Sequence, residues 1–117
     1  MRKLYSYTDL KFPVGDDTEV NFEVKLISDG NIINTAINVP GPNDQLLHDE
    51  GVVSLGKGKD LRGDSTVSFS DIINLIPQED EIRIQYLING TLLKEHHNMK
   101  SEETRPYVML NIQFPEL

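Results

Sequence analysis

Residues 19–26 alternate strictly between polar and apolar side chains. The run reads Glu19-Val20-Asn21-Phe22-Glu23-Val24-Lys25-Leu26. Because successive side chains of a β-strand point to opposite faces, the pattern predicts a strand with one buried and one wet face. On a helix the same apolar residues would be scattered around the circumference. The segment therefore predicts a sheet that is buried on one side only.

The same period of two recurs along the rest of the chain. It is clear in residues 33–39, 67–70, 81–88 and 108–114, and weaker in residues 3–8, 51–55 and 91–97. Short alternating runs at this spacing are typical of an all-β protein. The 117 residues are enough for one domain. The sequence therefore predicts a single domain, 1–117, folded as an antiparallel β-sandwich of about eight strands.

The alternation also predicts which side chains form the core. Polar neighbours such as Glu23 and Arg83 should face solvent. Tyr5 and Tyr7 share one strand face, which predicts packing within the sheet rather than a platform for a ligand. The predicted core residues are Val20, Phe22, Val24, Leu26, Ile37, Phe69, Ile82, Ile84, Ile88, Leu110, Ile112 and Phe114.

Turn chemistry divides these strands. Asp29-Gly30 and Asn89-Gly90 lie between alternating runs and supply the two positive φ angles of a type I′ turn, which predicts two tight hairpins. Residues 40–44, 56–60 and 77–80 are predicted connections, because proline and glycine disfavour strand interiors.

Helix is expected to be scarce. Residues 44–50 and 70–76 could each form one short helical turn, with Asp44 and Ser70 as the respective N-caps. Turns this short would survive only by packing on the sheets.

Composition excludes several classes of function. The chain carries 11 basic and 19 acidic residues, a net charge of −8, so non-specific binding to nucleic acid or an anionic bilayer is not expected. The absence of cysteine excludes disulfides, thiolate catalysis and Cys-ligated zinc. The longest uncharged run, residues 30–43, is shorter than the roughly 20 residues of a membrane-spanning helix. Residues 1–5 are followed by no apolar run, so no signal peptide is expected, and the compartment stays open.

The three histidines, His48, His96 and His97, are the first candidates for a metal site or a proton shuttle. Adjacent strand residues point to opposite faces, so His96 and His97 should not share one ion. A site would need one of them together with His48 and a carboxylate. We therefore rank a small histidine-dependent metalloenzyme last among the functions considered.

Acidic residues cluster in the predicted loops at 16–17, 49–50 and 79–81. Calcium takes six to eight oxygen ligands, which loops at one end of a sandwich can supply. In size and strand count the chain resembles the C2 membrane-targeting sandwich. It contains no Asp-x-Asp pair, which such calcium loops usually use. A calcium- or lipid-dependent targeting domain is the alternative function.

Residues 56–63 form the densest basic segment. Three of the eleven basic residues of the chain, Lys57, Lys59 and Arg62, lie within six of its positions. The segment lacks the Gly-Lys-Ser/Thr ending of a phosphate-binding loop and precedes a predicted strand. Its glycines would still let backbone N–H groups approach a ligand. We therefore predict that Lys57, Lys59 and Arg62 contact an acidic partner surface.

No nucleophile–base motif is visible in the sequence. The preferred function is therefore a non-catalytic binding or assembly module without a cofactor, whose partner is another protein or a second copy of the chain.

Overall fold

A computed structural model describes residues 3–27, 31–39, 44–63, 65–74, 81–103 and 105–116. Across these ranges the chain forms nine strands and a one-turn helix. The elements are β1 (Leu4–Lys11), β2 (Glu19–Leu26), β3 (Asn31–Asn38), β4 (Gln45–His48), β5 (Gly51–Lys57), α1 (Gly58–Leu61), β6 (Thr66–Asn74), β7 (Glu81–Ile88), β8 (Thr91–Met99) and β9 (Tyr107–Gln113). The predicted all-β, two-sheet architecture is confirmed.

The strands form a five-stranded sheet in the order β1-β9-β6-β3-β4 and a four-stranded sheet in the order β5-β2-β7-β8. All strand pairs are antiparallel except β1 and β9, which run parallel from Leu4 opposite Tyr107. At one side of the sandwich β1 lies against β8, where Tyr7 contacts His96. Tyrosines on one sheet edge thus join the two layers.

The core lies between the sheets and follows the predicted faces of β2 and β7. Phe22 and Ile84 are fully buried, whereas Glu23 and Arg83 on the same strands are partly exposed. Two predicted core residues are exceptions: Leu26 is only half-buried at the end of β2, and Phe69 is 39% exposed.

Strand β6 is inverted relative to its predicted orientation. Ser68 and Ser70 point into the core and are fully buried, while Phe69 points outward. The hydroxyl of Ser70 is accommodated inside because it bonds two other buried hydroxyl groups, Tyr86 Oη at 2.8 Å and Thr35 Oγ1 at 2.9 Å. Serine is small, and once its hydroxyl is hydrogen-bonded it can occupy a core position.

Both predicted helical turns are wrong within the described residues. Residues 45–48 form β4, which pairs with β3, and the Asp44 carboxylate accepts a hydrogen bond from Val39 N at 3.3 Å instead of capping a helix. Residues 70–74 continue β6, since their backbone pairs with β3. The connection predicted at residues 56–60 instead comprises the end of β5 and most of α1.

The hairpin predicted at Asn89-Gly90 is confirmed. Asn89 and Gly90 have φ angles of 50° and 80°, and β7 pairs with β8 on either side. The Asn89 side chain also accepts a hydrogen bond from Asn21 N at 2.9 Å and donates one to Glu19 O at 3.1 Å. The turn therefore also fixes the start of β2.

The hairpin predicted at Asp29-Gly30 is wrong in its pairing. Residues 28–30 lie outside the described residues, and the strands before and after them, β2 and β3, belong to different sheets and do not pair. Turn residues favour a local backbone conformation and do not select the strand with which the chain then pairs. The predicted connections at 40–43 and 77–80 also lie outside the described residues.

Candidate functional site

The basic segment occupies the end of β5 and α1. Lys57 and Lys59 are exposed. Arg62 is less accessible, because its guanidinium pairs with the Asp16 carboxylate and donates to Val14 O at 2.6 Å. The structure thus places all three cations on one short segment but uses Arg62 to attach that segment to residues 14–16. Their contact with an acidic partner stays a prediction.

Gly58 allows this attachment because it has no side chain. A Cβ at this position would overlap the carbonyl oxygen of Gly15. The approach lets Gly58 N donate to Thr18 O at 2.9 Å and Lys59 N to Asp16 O at 3.1 Å. The glycine predicted to admit a ligand therefore packs against the protein's own backbone.

A depression of about 360 Å³ lies beside the end of this segment. Among the lining residues that the structure describes, Ser65 is the hydroxyl-bearing side chain, and none supplies an imidazole or a carboxylate to activate it. The described lining residues are Arg62, Gly63, Ser65, Gln113, Phe114 and Pro115.

The acidic residues of the predicted loops do not converge within the described ranges. Asp16 is paired with Arg62, and Glu81 accepts hydrogen bonds from His97 at 2.8 Å and Arg83 at 3.5 Å. In residues 3–27, 31–39, 44–63, 65–74, 81–103 and 105–116, no group of three or more His, Asp or Glu side chains is placed to hold a metal ion. Glu79 and Asp80 lie outside those ranges.

The three histidines lie in three different environments. His96 is fully buried and His97 is exposed, as expected for neighbours on a strand. His48 is exposed on β4, where its Nδ1 lies 3.2 Å from Asn34 Oδ1. The histidines therefore do not form a shared site.

His96 belongs to a hydrogen-bonded chain between β1 and β8. Both amide protons of Asn98 are donated, to Met99 O at 2.9 Å and Glu103 O at 3.0 Å. Asn98 Oδ1 is therefore free to accept from His96 Nε2, 2.8 Å away. That bond assigns the proton to Nε2, so Nδ1 accepts from the Tyr7 hydroxyl at 2.7 Å. The network fixes one neutral tautomer of His96.

Burial lowers the pKa of His96, an effect that the hydrogen bond to Asn98 only partly opposes. Burial also raises the pKa of Tyr7. The ring of Tyr5 lies 4.7 Å from that of His96 between centroids. The two tyrosines predicted to pack in the sheet therefore enclose a neutral imidazole, an arrangement that closes one side of the sandwich.

A second candidate surface, absent from the sequence-based predictions, is the outer face of the five-stranded sheet. Strand register aligns four outward-pointing apolar residues side by side: Ala36 is opposite both Leu46 and Phe69, and Phe69 is opposite Met109. We call Leu46, Ala36, Phe69 and Met109 the apolar row. Leu46 is 60% exposed and Phe69 39% exposed. Ser6 on β1 ends the row.

The rows on either side of the apolar row are mostly uncharged. One contains His48, Asn34, Asp71, Tyr107 and Leu4; the other contains Asn38, Val67, Asn111 and, at the irregularity of β1 between Tyr7 and Leu10, Thr8 and Asp9. Tyr107 packs against Phe69 with ring centroids 5.2 Å apart. Among the described residues of these three rows, the formal charges at neutral pH are Asp71 on the central strand and Asp9 at the β1 end of the second flanking row.

The outer face of the four-stranded sheet has the opposite character. Its side chains form polar contacts with one another, such as Gln85 to Glu95 at 2.9 Å and Lys25 to Glu23 at 3.9 Å. The outward residues of its central strands are Glu19, Asn21, Glu23, Lys25, Glu81, Arg83, Gln85 and Leu87. We call this surface the charged face.

No protein-family model matches this sequence, and neither does any curated protein. The described part of the chain contains no helix that is both long and apolar enough to cross a membrane.

Proposed function

We propose that this chain is a non-catalytic assembly module that binds a protein partner through the outer face of its five-stranded sheet. The apolar row is the observation that carries the proposal. Fully burying one side chain of the size of Leu46 or Phe69 contributes about 1.5–3 kcal/mol. Contiguous exposed apolar residues surrounded by polar ones are typical of protein interaction surfaces.

Chemical considerations support binding rather than catalysis. The buried imidazole of His96 is held by Tyr7 and Asn98, and it has no contact with the depression beside Arg62. The hydrogen bonds of His96 connect β1 to β8, so its chemistry is used in holding the sheets together.

Lys57 and Lys59 provide a second, electrostatic contact in this proposal, with an acidic segment of the partner. Arg62 contributes through its pairing with Asp16, which holds the segment in place. A contact of this kind weakens as salt is added, because exposed charges are screened beyond about 8 Å at physiological ionic strength. Changing Lys57 and Lys59 to serine tests it: partner binding should weaken and lose part of its salt dependence, and unchanged binding would remove this segment from the interface.

The experiment on the apolar row uses two matched leucines. Leu46 and Leu92 are 60% and 51% exposed, and each lies on an edge strand, β4 of the five-stranded sheet and β8 of the four-stranded sheet. We expect the wild-type chain, in extract of the cells that make it, to migrate as a particle larger than its 13.3 kDa. Leu46→Lys should shift it to monomer size, while Leu92→Lys should not.

Migration of the wild type as a monomer in the extract contradicts the proposed function. An equal shift for both variants contradicts the assignment of the surface. The calcium-dependent alternative is tested separately: a domain that binds calcium only when folded should melt at a higher temperature in millimolar calcium.

A further inference from the structure

The apolar row lies across the central strand of its sheet, with two strands on either side of β6. We infer that the partner of this face is a second copy of the same chain, bound about a two-fold axis that runs along the apolar row. The inference rests on the proposed function and names its partner. Its three supports are the size of the face, the distribution of charge, and the symmetry that the register allows.

The face is large enough for a small stable interface. Four strands of about seven residues span about 23 Å each and the four-residue β4 about 13 Å, and the strands are spaced about 4.8 Å apart. Each copy would therefore bury roughly 500 Å², and the pair roughly 1,000 Å², the size at which a specific interface begins.

Charge restricts how two copies can meet. Each carries −8, so a dimer carries 2 × −8 = −16, and most approaches of two copies are repulsive. The charged face would also place Glu23 and Glu81 in the contact. Among the described strand residues of this outer face, the formal charges are Asp71 and, on the edge strand β1, Asp9 and Lys11. The two central strands of the charged face alone carry Glu19, Glu23, Lys25, Glu81 and Arg83, so of the two outer faces this one packs against a second copy with the smaller loss of charge hydration.

Symmetry then selects one arrangement. Packed sheets keep their strands within about 30° of each other. A two-fold axis that lies between the two copies preserves this alignment in only two directions, along the strands or along the apolar row. An axis along β6 would place Asp71 opposite its own copy, two like charges in contact. An axis along the row places Asp71 opposite Val67 instead. It also brings Asn34 opposite Asn38 and sets each residue of the apolar row against its own copy.

The test is sedimentation of the purified 117-residue chain across a wide range of concentration. We expect the mass to rise from 13.3 kDa toward twice that value, and the dimer to strengthen with added salt because repulsion between the acidic copies is screened. Leu46→Lys should weaken the dimer by at least about tenfold, a loss of about 1.4 kcal/mol. Leu92→Lys, the matched control on the other sheet, should not change it.

The axis is tested by Val67→Lys. With the axis along the row, each introduced lysine faces Asp71 of the other copy, and the dimer should become several-fold tighter. With the axis along the strands, the two lysines face each other and the dimer should weaken, which would overturn the arrangement. The melting temperature of the variant at low concentration, where it is monomeric, separates these effects from a change in folding.

A purified chain that stays monomeric at every concentration overturns the second-copy inference. If Leu46→Lys still dissociates a larger particle in cell extract, the proposed function survives with a different protein as partner. A purified dimer that Leu46→Lys leaves intact overturns both the second-copy arrangement and the proposed surface.

Discussion

The two outer faces of the sandwich show two uses of an exposed sheet. On the charged face, Glu81 contacts both Arg83 and His97, and all three side chains remain accessible to water. On the other face, Phe69 and Leu46 are at least as accessible to water, although their side chains are apolar. Both faces belong to sheets whose inner sides fill one core, so burial of the core does not account for the difference.

The contrast originates in the central strands. Strand β7 keeps its apolar residues inside and its charged residues outside, with Ile84 buried and Arg83 partly exposed. Strand β6 does the reverse around Phe69, with Ser68 and Ser70 buried and the aromatic ring outside. An inversion of this kind loses apolar burial within the monomer, and that loss is recovered if the outer face is covered by a partner.

The largest expected effect separates inside from outside by comparing two phenylalanines. Phe22→Ala should lower the free energy of unfolding by about 3–5 kcal/mol, because the ring is fully buried and would leave a cavity. Phe69→Ala should lower it by less than about 1 kcal/mol at concentrations where the chain is monomeric. Urea unfolding measures both, and similar losses would place Phe69 in the core.

The next effect compares two buried serines on β6. Ser70→Ala should cost about 1–3 kcal/mol, because it removes a hydrogen-bond partner from the buried hydroxyls of Tyr86 and Thr35. Ser68 is equally buried, but its hydroxyl has no hydrogen-bond partner among the described residues. Ser68→Ala should therefore be neutral or slightly stabilising. The same measurement applies, and a larger loss for Ser68→Ala than for Ser70→Ala would contradict the hydrogen-bond assignment.

A third prediction concerns pH and the inward side of β8. The pKa of His96 is lowered in the folded state by burial, whereas an unfolded histidine has a pKa of about 6.5. As pH falls below about 6.5, the unfolded chain therefore binds a proton that the folded chain does not, and the free energy of unfolding decreases. This contribution should persist in His97→Gln, because His97 lies on the outer face.

Nuclear magnetic resonance of the imidazole rings provides the direct check. The His96 ring should stay neutral below pH 6.5 with its proton on Nε2, as the bond to Asn98 requires. A His96 signal that titrates at about pH 6.5 would remove the expected pH dependence, and one that titrates above it would reverse the sign.

The smallest effects are expected on the charged face. Glu23→Ala and Arg83→Ala should each change the free energy of unfolding by no more than about 0.5 kcal/mol, since partly exposed ion pairs contribute little. Neither variant should alter the mass of the particle in solution. Loss of assembly in either variant would mean that the interaction surface lies on the four-stranded sheet instead.

The sequence was sufficient to predict the architecture and the faces of β2 and β7. In both strands bulky apolar residues alternate with residues that are mostly charged or amide-bearing, and a charged side chain rarely lies in a core unpaired. The Asn89-Gly90 turn was predictable for a local reason, because it requires two consecutive positive φ angles.

The orientation of β6 was not predictable from its pattern. Serine and phenylalanine alternate there, and serine can be buried when distant residues such as Thr35 and Tyr86 supply hydrogen bonds. The apolar row was missed for the same reason, since Leu46 and Met109 become neighbours of Ala36 and Phe69 only through strand register. Strand β4 was missed because its four residues are too few to show a period.

The parallel pairing of β1 with β9 has a consequence for the speed of folding. Leu4 meets Tyr107, so this part of the five-stranded sheet forms only after nearly the whole chain has been brought together. Closing a loop of that length costs conformational entropy before any contact compensates for it. Folding should therefore be slow for a domain of this size, in the range of milliseconds to seconds. Until β1 docks, the inward side of His96 is exposed, and β9 presents an unpaired edge to other chains.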